Sequence, residues 1–576
     1  MTDSRPKVLY GEANYRAMVK ENGYYVDKTH YIPLLEQFKS PVFLRPRRFG
    51  KSLLCTTLQY YYDLQFADQF QELFGHTWIG ANPTPKQGSF LVVSFDFSAV
   101  DPSGSVEAIE KKFNEAINKK LNHFCLINRK LFPEPIIIDR ERSGTANLSD
   151  LAFTLNAYGL PPLYVIVDEY DNFANQLIVS KKDDLYRTLM EDDSFLKSFF
   201  KILKEGRKDG VIAHIFLTGV LPITIDDLAS GYNIAEFITL DPRFEAMAGF
   251  TQSEVDTLLD RIYADYQLDE STRTQVNEVV KSNYNGYHMV DIDAEPLYNS
   301  TILIYFLQKL ISFKEIPEFL TDLNLKTDIS WIRRLTSSNA ERTRELVDQL
   351  TIHNRLTYDR QQLRDKFDMK QFFNKTFYPI SFFYLGMVTR YNSFQMCLPN
   401  LNMKAIFSEY FNELYEIDVS TLYADMMSGF LDKPDLPKLF ADYWELYVSQ
   451  LPEAVFAKVN ENFYRTTFYE LTKRYLSGYY VWQMESSYPG GRSDLEMEGK
   501  FHTRFVGSRY LMEFKYTSNA KSAKVKLASF QPSAADKEQL RRYHDGQCAQ
   551  YPEQQIQSYL IYCFGNRGFR VFPLEA

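Results

Sequence analysis

Two short segments constrain this chain more than anything else in it. Residues 45–52 read Arg45-Pro46-Arg47-Arg48-Phe49-Gly50-Lys51-Ser52, and about 110 residues later comes Val165-Ile166-Val167-Asp168-Glu169. A Gly-Lys-Ser turn that opens a helix aims backbone N–H groups at a phosphate. Its Lys reaches the β/γ oxygens and its Ser hydroxyl ligates Mg²⁺. An apolar strand ending in two carboxylates supplies the complementary acids, one for the metal and one to polarise an attacking water. Together the segments predict ATP and Mg²⁺ bound by Gly50, Lys51, Ser52 and Asp168, with Glu169 catalytic. Thr218, in Phe216-Leu217-Thr218-Gly219, falls where a γ-phosphate sensor is expected. Arg47, Arg48 and Arg243 are unranked candidates for offsetting phosphate charge, Arg48 being grouped with the nucleotide-binding residues. Arg45 replaces the first glycine of the pattern and Pro46 follows it, so binding is expected and the loop's conformation is left open.

The surrounding pattern is α/β. Pro41–Leu44, Leu91–Asp96, Leu163–Val167 and Ile212–Leu217 are short apolar runs that read as strands, with helices predicted over Ser52–Tyr62, Ser105–Asn122 and Leu185–Lys204. That alternation implies a parallel sheet with crossover helices and ligands at the strand C-terminal ends, the P-loop NTPase layout. At 576 residues the chain exceeds one hydrophobic core. We divide it into an ATPase core at 1–245, a helical middle region of lid or winged-helix type at 246–450, and an α+β module at 451–576. Thr251-Gln252-Ser253-Glu254 reads as a capping box. Tyr384–Thr389 with Gln395–Leu398 reads as a hairpin, and Asp432–Pro437 as a turn and linker start.

Composition excludes several classes. Five scattered cysteines without a Cys-x-x-Cys, and eight histidines without ligand spacing, argue against a disulfide framework or a zinc site. No run of about 18 apolar residues and no signal-peptide core occur, so a soluble, cytoplasmic protein without membrane contact is expected. The net charge is −9, yet Gly499–Gly546 holds ten Lys or Arg against four acids, a +6 segment able to neutralise phosphates.

That basic segment begins beside a second set of acids. Gly491-Arg492-Ser493-Asp494 precedes Tyr510-Leu511-Met512-Glu513-Phe514-Lys515-Tyr516. Strand alternation puts Glu513 and Lys515 on one side. If Asp494 ends the neighbouring strand, Asp494 and Glu513 share a divalent cation, Mg²⁺ or Mn²⁺, and Lys515 orients the water. The nineteen-residue gap exceeds a simple hairpin and predicts an insertion around Lys500–Ser508. Glu461 and Glu485 are candidate additional acids.

Several motifs resemble one family. Tyr25-Val26-Asp27-Lys28-Thr29, Arg45–Leu53, Val167–Asp171, Thr218-Gly219-Val220, Gly249-Phe250-Thr251 and Tyr284-Asn285-Gly286-Tyr287 resemble the bacterial AAA-ATPase-like proteins, over most of residues 8–300. The Arg-for-Gly departure looks typical of that family, and Ser381–Thr389 with Leu398-Pro399-Asn400 resembles its middle segment. Such proteins commonly carry a C-terminal PD-(D/E)XK nuclease domain of restriction-endonuclease-like fold, whose Asp…Glu-x-Lys signature Asp494, Glu513 and Lys515 resemble. The resemblance favours Glu461 as the helix-borne acid, and Gln539 with Tyr543 is similar to the Gln-x-x-x-Tyr element of some such nucleases. It implies an ATPase that regulates or positions a metal-dependent nuclease acting on DNA, with the sign of coupling open and a homo-oligomer allowed. The alternative is an ATP-dependent switch whose C-terminal module binds nucleic acid or a protein without cutting. A motor and a kinase rank lower, for want of helicase motifs and of an acceptor-site base.

Overall fold

The structure is a computed structural model describing residues 5–190, 194–227, 232–321, 333–334, 340–365, 367–374, 376–485, 487–488 and 491–574. Its first sheet comprises β1 (Pro41–Leu44), β2 (Leu91–Asp96), β3 (Leu163–Asp168), β4 (Ile212–Gly219) and β5 (Glu236–Phe237). The order is β2-β3-β4-β1-β5, parallel throughout. β1 and β3 are buried along their whole length, as strands covered on both faces must be, which is why they read as unbroken apolar runs. β4 therefore separates the phosphate-loop strand from the acidic strand. Both functional ends emerge at the same edge, where the chain reverses its order across the sheet.

Helix α1 (Lys51–Tyr62) follows β1 and α2 (Val106–Ile127) follows β2. The single helix expected over Leu185–Lys204 is instead two, α3 (Asp183–Leu189) and α4 (Phe195–Lys208). Ser194 accepts from the Lys197 N–H and so caps a new start, and residues 191–193 lie outside the described residues.

The middle region is helical. α5 (Gln252–Tyr266) carries the expected capping box, Thr251 and Glu254 each bonding the other's backbone. α6 (Arg273–Tyr284) and α7 (Ser300–Phe313) follow. The hairpin needs correction, because Tyr384 ends helix α8 (Tyr378–Tyr384), a fully buried Phe- and Tyr-rich turn. Gly386 (φ +75°) then turns the chain. Only β7 (Thr389–Arg390) and β8 (Gln395–Cys397) pair as the hairpin, with β6 (Leu356–Thr357) on the other side of β8. α9 (Leu401–Leu414) leads onward.

The C-terminal module opens with α10 (Glu461–Leu476). Its sheet has the order β15-β14-β13-β12-β9, from β9 (Tyr480–Met484), β12 (Leu495–Gly499), β13 (Ser508–Tyr516), β14 (Gln555–Cys563) and β15 (Phe569–Pro573). The short β10 (Ser487–Tyr488) and β11 (Gly491–Arg492) form a separate ribbon. β13 and β14 are parallel, and the helix α11 (Ala534–Gln550) makes the crossover between them. Alternation splits β13 cleanly. Met512 and Phe514 join the main core, while Leu511 packs with Leu540 and Tyr543 of α11 in a second, smaller cluster. The main core runs without a break from β1 through the middle region into this sheet. Among the described residues no helix is long and apolar enough to cross a membrane.

Candidate functional sites

The loop after β1 is held by the residue that replaces its glycine. Arg45 is 2% exposed. Its guanidinium donates to the carbonyls of Leu44 (3.0 Å), Thr239 (2.9 Å), Phe244 (2.9 Å) and Glu245 (3.2 Å). It also lies 4.5 Å from the Phe43 ring centroid. The loop is thereby riveted to the segment after β5. Arg48 (φ +70°) and Gly50 (φ +86°) take left-handed backbone, the second of these costing glycine nothing. Gly50 ends the loop without a side-chain cap, so no N-cap side chain satisfies the first N–H groups of α1.

These residues border a cavity of about 220 Å³. Arg48, Gly50, Lys51, Ser52 and Glu169 contribute to its polar lining, and Tyr25, Val26, Met247, Phe250 and Ile304 to its apolar lining. Lys51 Nζ donates to the carbonyls of Arg45 and Pro46, each at 3.0 Å. Burial lowers its pKa, and Glu169, Asp168 and Asp171 oppose that shift. Asp168 is buried and its pKa is raised by burial, while the Ser52 hydroxyl and Lys51 pull it back. Glu169 sits at φ +48°, a conformation that non-glycine residues rarely keep, and it reaches the cavity. Burial raises its pKa too, against Lys51.

Two expected residues stand elsewhere. Thr218 is fully buried and its hydroxyl donates to the Phe43 carbonyl at 2.7 Å, so it ties β4 to β1. Arg243 is half-exposed, bonded to Asp241 (2.6 Å) and Gln37 (3.2 Å), and does not border the cavity. Sequence reading missed Asp96, directly opposite Asp168 in register and acting on both Asp168 and Glu169. The signal was available, since Leu91–Asp96 is also an apolar strand ending in an acid. Asp171 was likewise missed. It accepts from the Val220 and Leu221 N–H groups and from Asn175, fixing the end of β4.

In the C-terminal module Asp494 precedes β12 rather than ending a strand. Because Leu495 pairs with Met512 in an antiparallel ladder, Asp494 still falls opposite Glu513 and on the same face. The turn from Lys500 to Gly507 absorbs the long gap. Glu513 Oε1 accepts from Lys515 Nζ (2.9 Å) and Gln539 Nε2 (2.9 Å). Gln539 also accepts from Lys515 (3.2 Å) and donates to the Tyr543 hydroxyl (2.8 Å). Glu513 Oε2 is buried without a hydrogen-bond partner. Burial and the Asp494 charge raise the Glu513 pKa, and Lys515 opposes them. Burial, then Asp494, push Glu461 up to about 7. Glu485 behaves differently. Burial would raise it, but Lys404, Arg465 and Arg492 outweigh burial and hold it down to about 2, and it pairs with Arg465 and Arg492.

Among the described residues no three His, Cys, Asp or Glu side chains close into a ready-made metal cage. A buried, unpartnered carboxylate oxygen beside Asp494, with Glu461 close enough to raise the local cost of negative charge, nonetheless fits an oxygen-ligated, partly hydrated divalent cation. Sequence reading missed Arg465, although it lies four residues after Glu461 on α10 and so on the same helix face.

Residues 9–229 match the family model described as predicted AAA-ATPase, and residues 459–572 match that of the PD-(D/E)XK nuclease superfamily. The chain therefore carries an AAA-ATPase-like domain followed by a C-terminal domain of the PD-(D/E)XK nuclease superfamily. A curated relative from Azotobacter chroococcum mcd 1, described as an uncharacterized protein in the vnfD 5'region, is 26% identical over 337 residues. That stretch is 56% of this chain and 56% of the relative, so the match spans about half the length of each. Among solved structures, the ORC2 protein of Aeropyrum pernix superimposes with TM-score 0.29 and 13% identity, over 72% of this chain and 96% of that one.

Proposed function

We propose that the chain is an ATPase whose nucleotide state controls a metal-dependent nuclease acting on DNA. One observation carries the coupling: α6, in the region that follows the ATPase sheet, lies against the edge of the nuclease sheet. Gln275 donates to the Gly499 carbonyl (3.2 Å) and accepts from the Phe501 N–H (3.3 Å). Glu278 accepts from Gln483 and from the Tyr551 hydroxyl, and lies 3.7 Å from Arg509. Arg509 is 1% exposed and pairs with Glu496 and Glu498, each at 2.7 Å. Its strand carries Glu513 four residues on, so displacement of α6 loads the strand that bears the carboxylate centre.

At the nucleotide, Lys51 would leave its two carbonyls for the β/γ oxygens, Ser52 and Asp168 would hold Mg²⁺, and Glu169 would take a proton from water. Arg243 bonds Asp241 and Gln37 and does not border its own cavity, which suits a contact with the phosphates of a neighbouring copy in a homo-oligomer. At the second centre Asp494 and Glu513 would hold Mg²⁺ or Mn²⁺, with Glu461 adjacent. The cation supplies activation of water and neutralisation of phosphate charge. Lys515 and Gln539 orient the Glu513 carboxylate. Lys521, Lys524, Lys526, Lys537, Arg541 and Arg542 are exposed and provide a surface for the DNA backbone. We place the activity in the cytoplasm and take 1–245, 246–450 and 451–576 as working units.

A second reading, a switch that binds nucleic acid without cutting, is favoured by one feature: both Asp494 oxygens accept from protein donors, and Lys515 donates to Glu513 and Gln539. The deciding experiment incubates the protein with single- and double-stranded DNA in Mg²⁺ or Mn²⁺, with and without ATP, beside Glu513→Ala. Cleavage lost in the variant supports the nuclease, and its ATP dependence gives the sign of coupling. ATP hydrolysis without cleavage under any condition supports the switch.

A further inference from the structure

A chain of charges that neither proposed reaction uses, Arg465 and Lys404 buried and Glu485 partly so, joins the middle region to the carboxylate centre. Arg465 Nη1 donates to Asp494 Oδ1 at 2.8 Å, and its Nη2 donates to Asn462 (2.8 Å) and to Glu485 Oε1 (2.9 Å). The Phe514 N–H donates to the other Asp494 oxygen at 2.8 Å. Asp494 is thus gripped from two sides in the orientation that faces Glu513. Glu485 in turn lies in the field of Lys404 on α9, whose ammonium is buried and stands 3.9 Å from the Met484 sulfur.

α9 is itself moored to the nucleotide side. Asn400 donates to the Asn285 carbonyl (2.9 Å) and Asn402 to the Asn283 carbonyl (2.8 Å). Gly286 (φ +106°) approaches Pro399 so closely that a Cβ there would lie 2.0 Å from its carbonyl oxygen. The neighbouring Tyr287 ring meets Phe49 of the phosphate loop edge-on at 5.1 Å.

We propose that Arg465 is a positioning residue that stands on Asp494 as a resident counter-cation, its grip set from the middle region through Lys404 and Glu485. This rests on the nuclease reading and adds a regulator to the same centre. A guanidinium and a divalent cation compete for the charge of one carboxylate. The carboxyl groups of Asp494, Glu513, Glu461 and Glu485 share the centre with Arg465, Arg492, Lys404 and Lys515, so removing a cation makes its net charge one unit more negative. Loss of Arg465 therefore strengthens cation binding while releasing Asp494 from its productive orientation. A purely structural arginine predicts the reverse, because a collapsed site binds metal less well.

The test titrates Mn²⁺ into the full chain without nucleotide, following free Mn²⁺ by electron paramagnetic resonance, with ATP hydrolysis as the check on folding. Wild type is expected to bind a Mn²⁺ that Glu513→Gln loses. Arg465→Met is expected to bind it about tenfold more tightly, since it removes a positive charge in contact with Asp494, and Lys404→Met about threefold, since Lys404 acts one step further away, through Glu485. DNA cleavage should fall in Arg465→Met, splitting affinity from activity. Weaker Mn²⁺ binding in Arg465→Met, or unchanged binding in Lys404→Met, overturns this inference and leaves the nuclease reading standing. Wild-type binding insensitive to Glu513→Gln overturns the nuclease centre, and this inference with it.

Discussion

Arg45→Ala should loosen the phosphate loop without touching any group that meets the nucleotide. The substitution removes four charge-assisted hydrogen bonds to backbone carbonyls and a cation–π contact with Phe43. Burial pulls the Arg45 pKa down to about 10, with Glu245 opposing, so the side chain is charged at neutral pH. Hydrogen bonds to a charged donor contribute roughly 1.5–3 kcal/mol each, and water entering the vacated space restores part of that. With about half restored, the net local loss is about 3–6 kcal/mol, or at least roughly a hundredfold in the opening equilibrium. Hydrogen exchange followed by mass spectrometry should show that acceleration in peptides covering 41–52 and 238–248, with peptides of β13 unchanged. ATP affinity should fall with it, and Arg45→Gly should behave no better than alanine. Unaltered exchange in both peptides would refute the rivet, as would a glycine variant that restores tight binding.

The other predictions concern the two centres and the contact between them. Lys51→Ala should abolish ATP hydrolysis and Lys515→Ala should abolish cleavage with hydrolysis intact; unchanged turnover in either assay removes the corresponding assignment. Burial raises Glu278 from 4.5 to about 7, with Glu498 and Glu496 adding to it and Arg509 opposing. Its neutral form is favoured in the folded chain, so its contribution is complete below about pH 4.5 and is lost as pH rises to about 7. The shift corresponds to about 3 kcal/mol. Thermal unfolding of wild type should thus weaken relative to Glu278→Gln across that window, and parallel curves would show the group titrating normally. Reversing Lys524 and Arg541 to Glu should weaken DNA binding and flatten its salt dependence by roughly one unit of slope per lost phosphate contact, with ATP hydrolysis unchanged. A salt slope equal to that of wild type would place the DNA elsewhere.

Four of the five strands of the first sheet (all but the two-residue β5), the turn into α1 and the capping box of α5 were legible because each is written in neighbouring residues. Strand apolarity, a Gly-Lys-Ser turn and a Thr-x-x-Glu box depend on contacts within a few positions. The face shared by Glu513 and Lys515 was equally local. The break between α3 and α4 was missed although Glu191-Asp192-Asp193 interrupts the apolar pattern there and Ser194 supplies an N-cap for the restart.

Which distant groups meet was decided by the tertiary structure. The order β2-β3-β4-β1-β5 brings Asp96 beside Asp168, although 72 residues separate them in the chain. Packing turned Lys500 and Arg509 of the basic segment inward, the first onto the Ile316 and Pro317 carbonyls and the second between Glu496 and Glu498. It also made a hydrogen-bonding rivet of Arg45 and a partner for Asp494 of Arg465. The residue types and local spacings set which chemistry the chain can perform. Pairing a buried charge is a long-range requirement, met by whatever partner the fold brings near, and no local pattern encodes it.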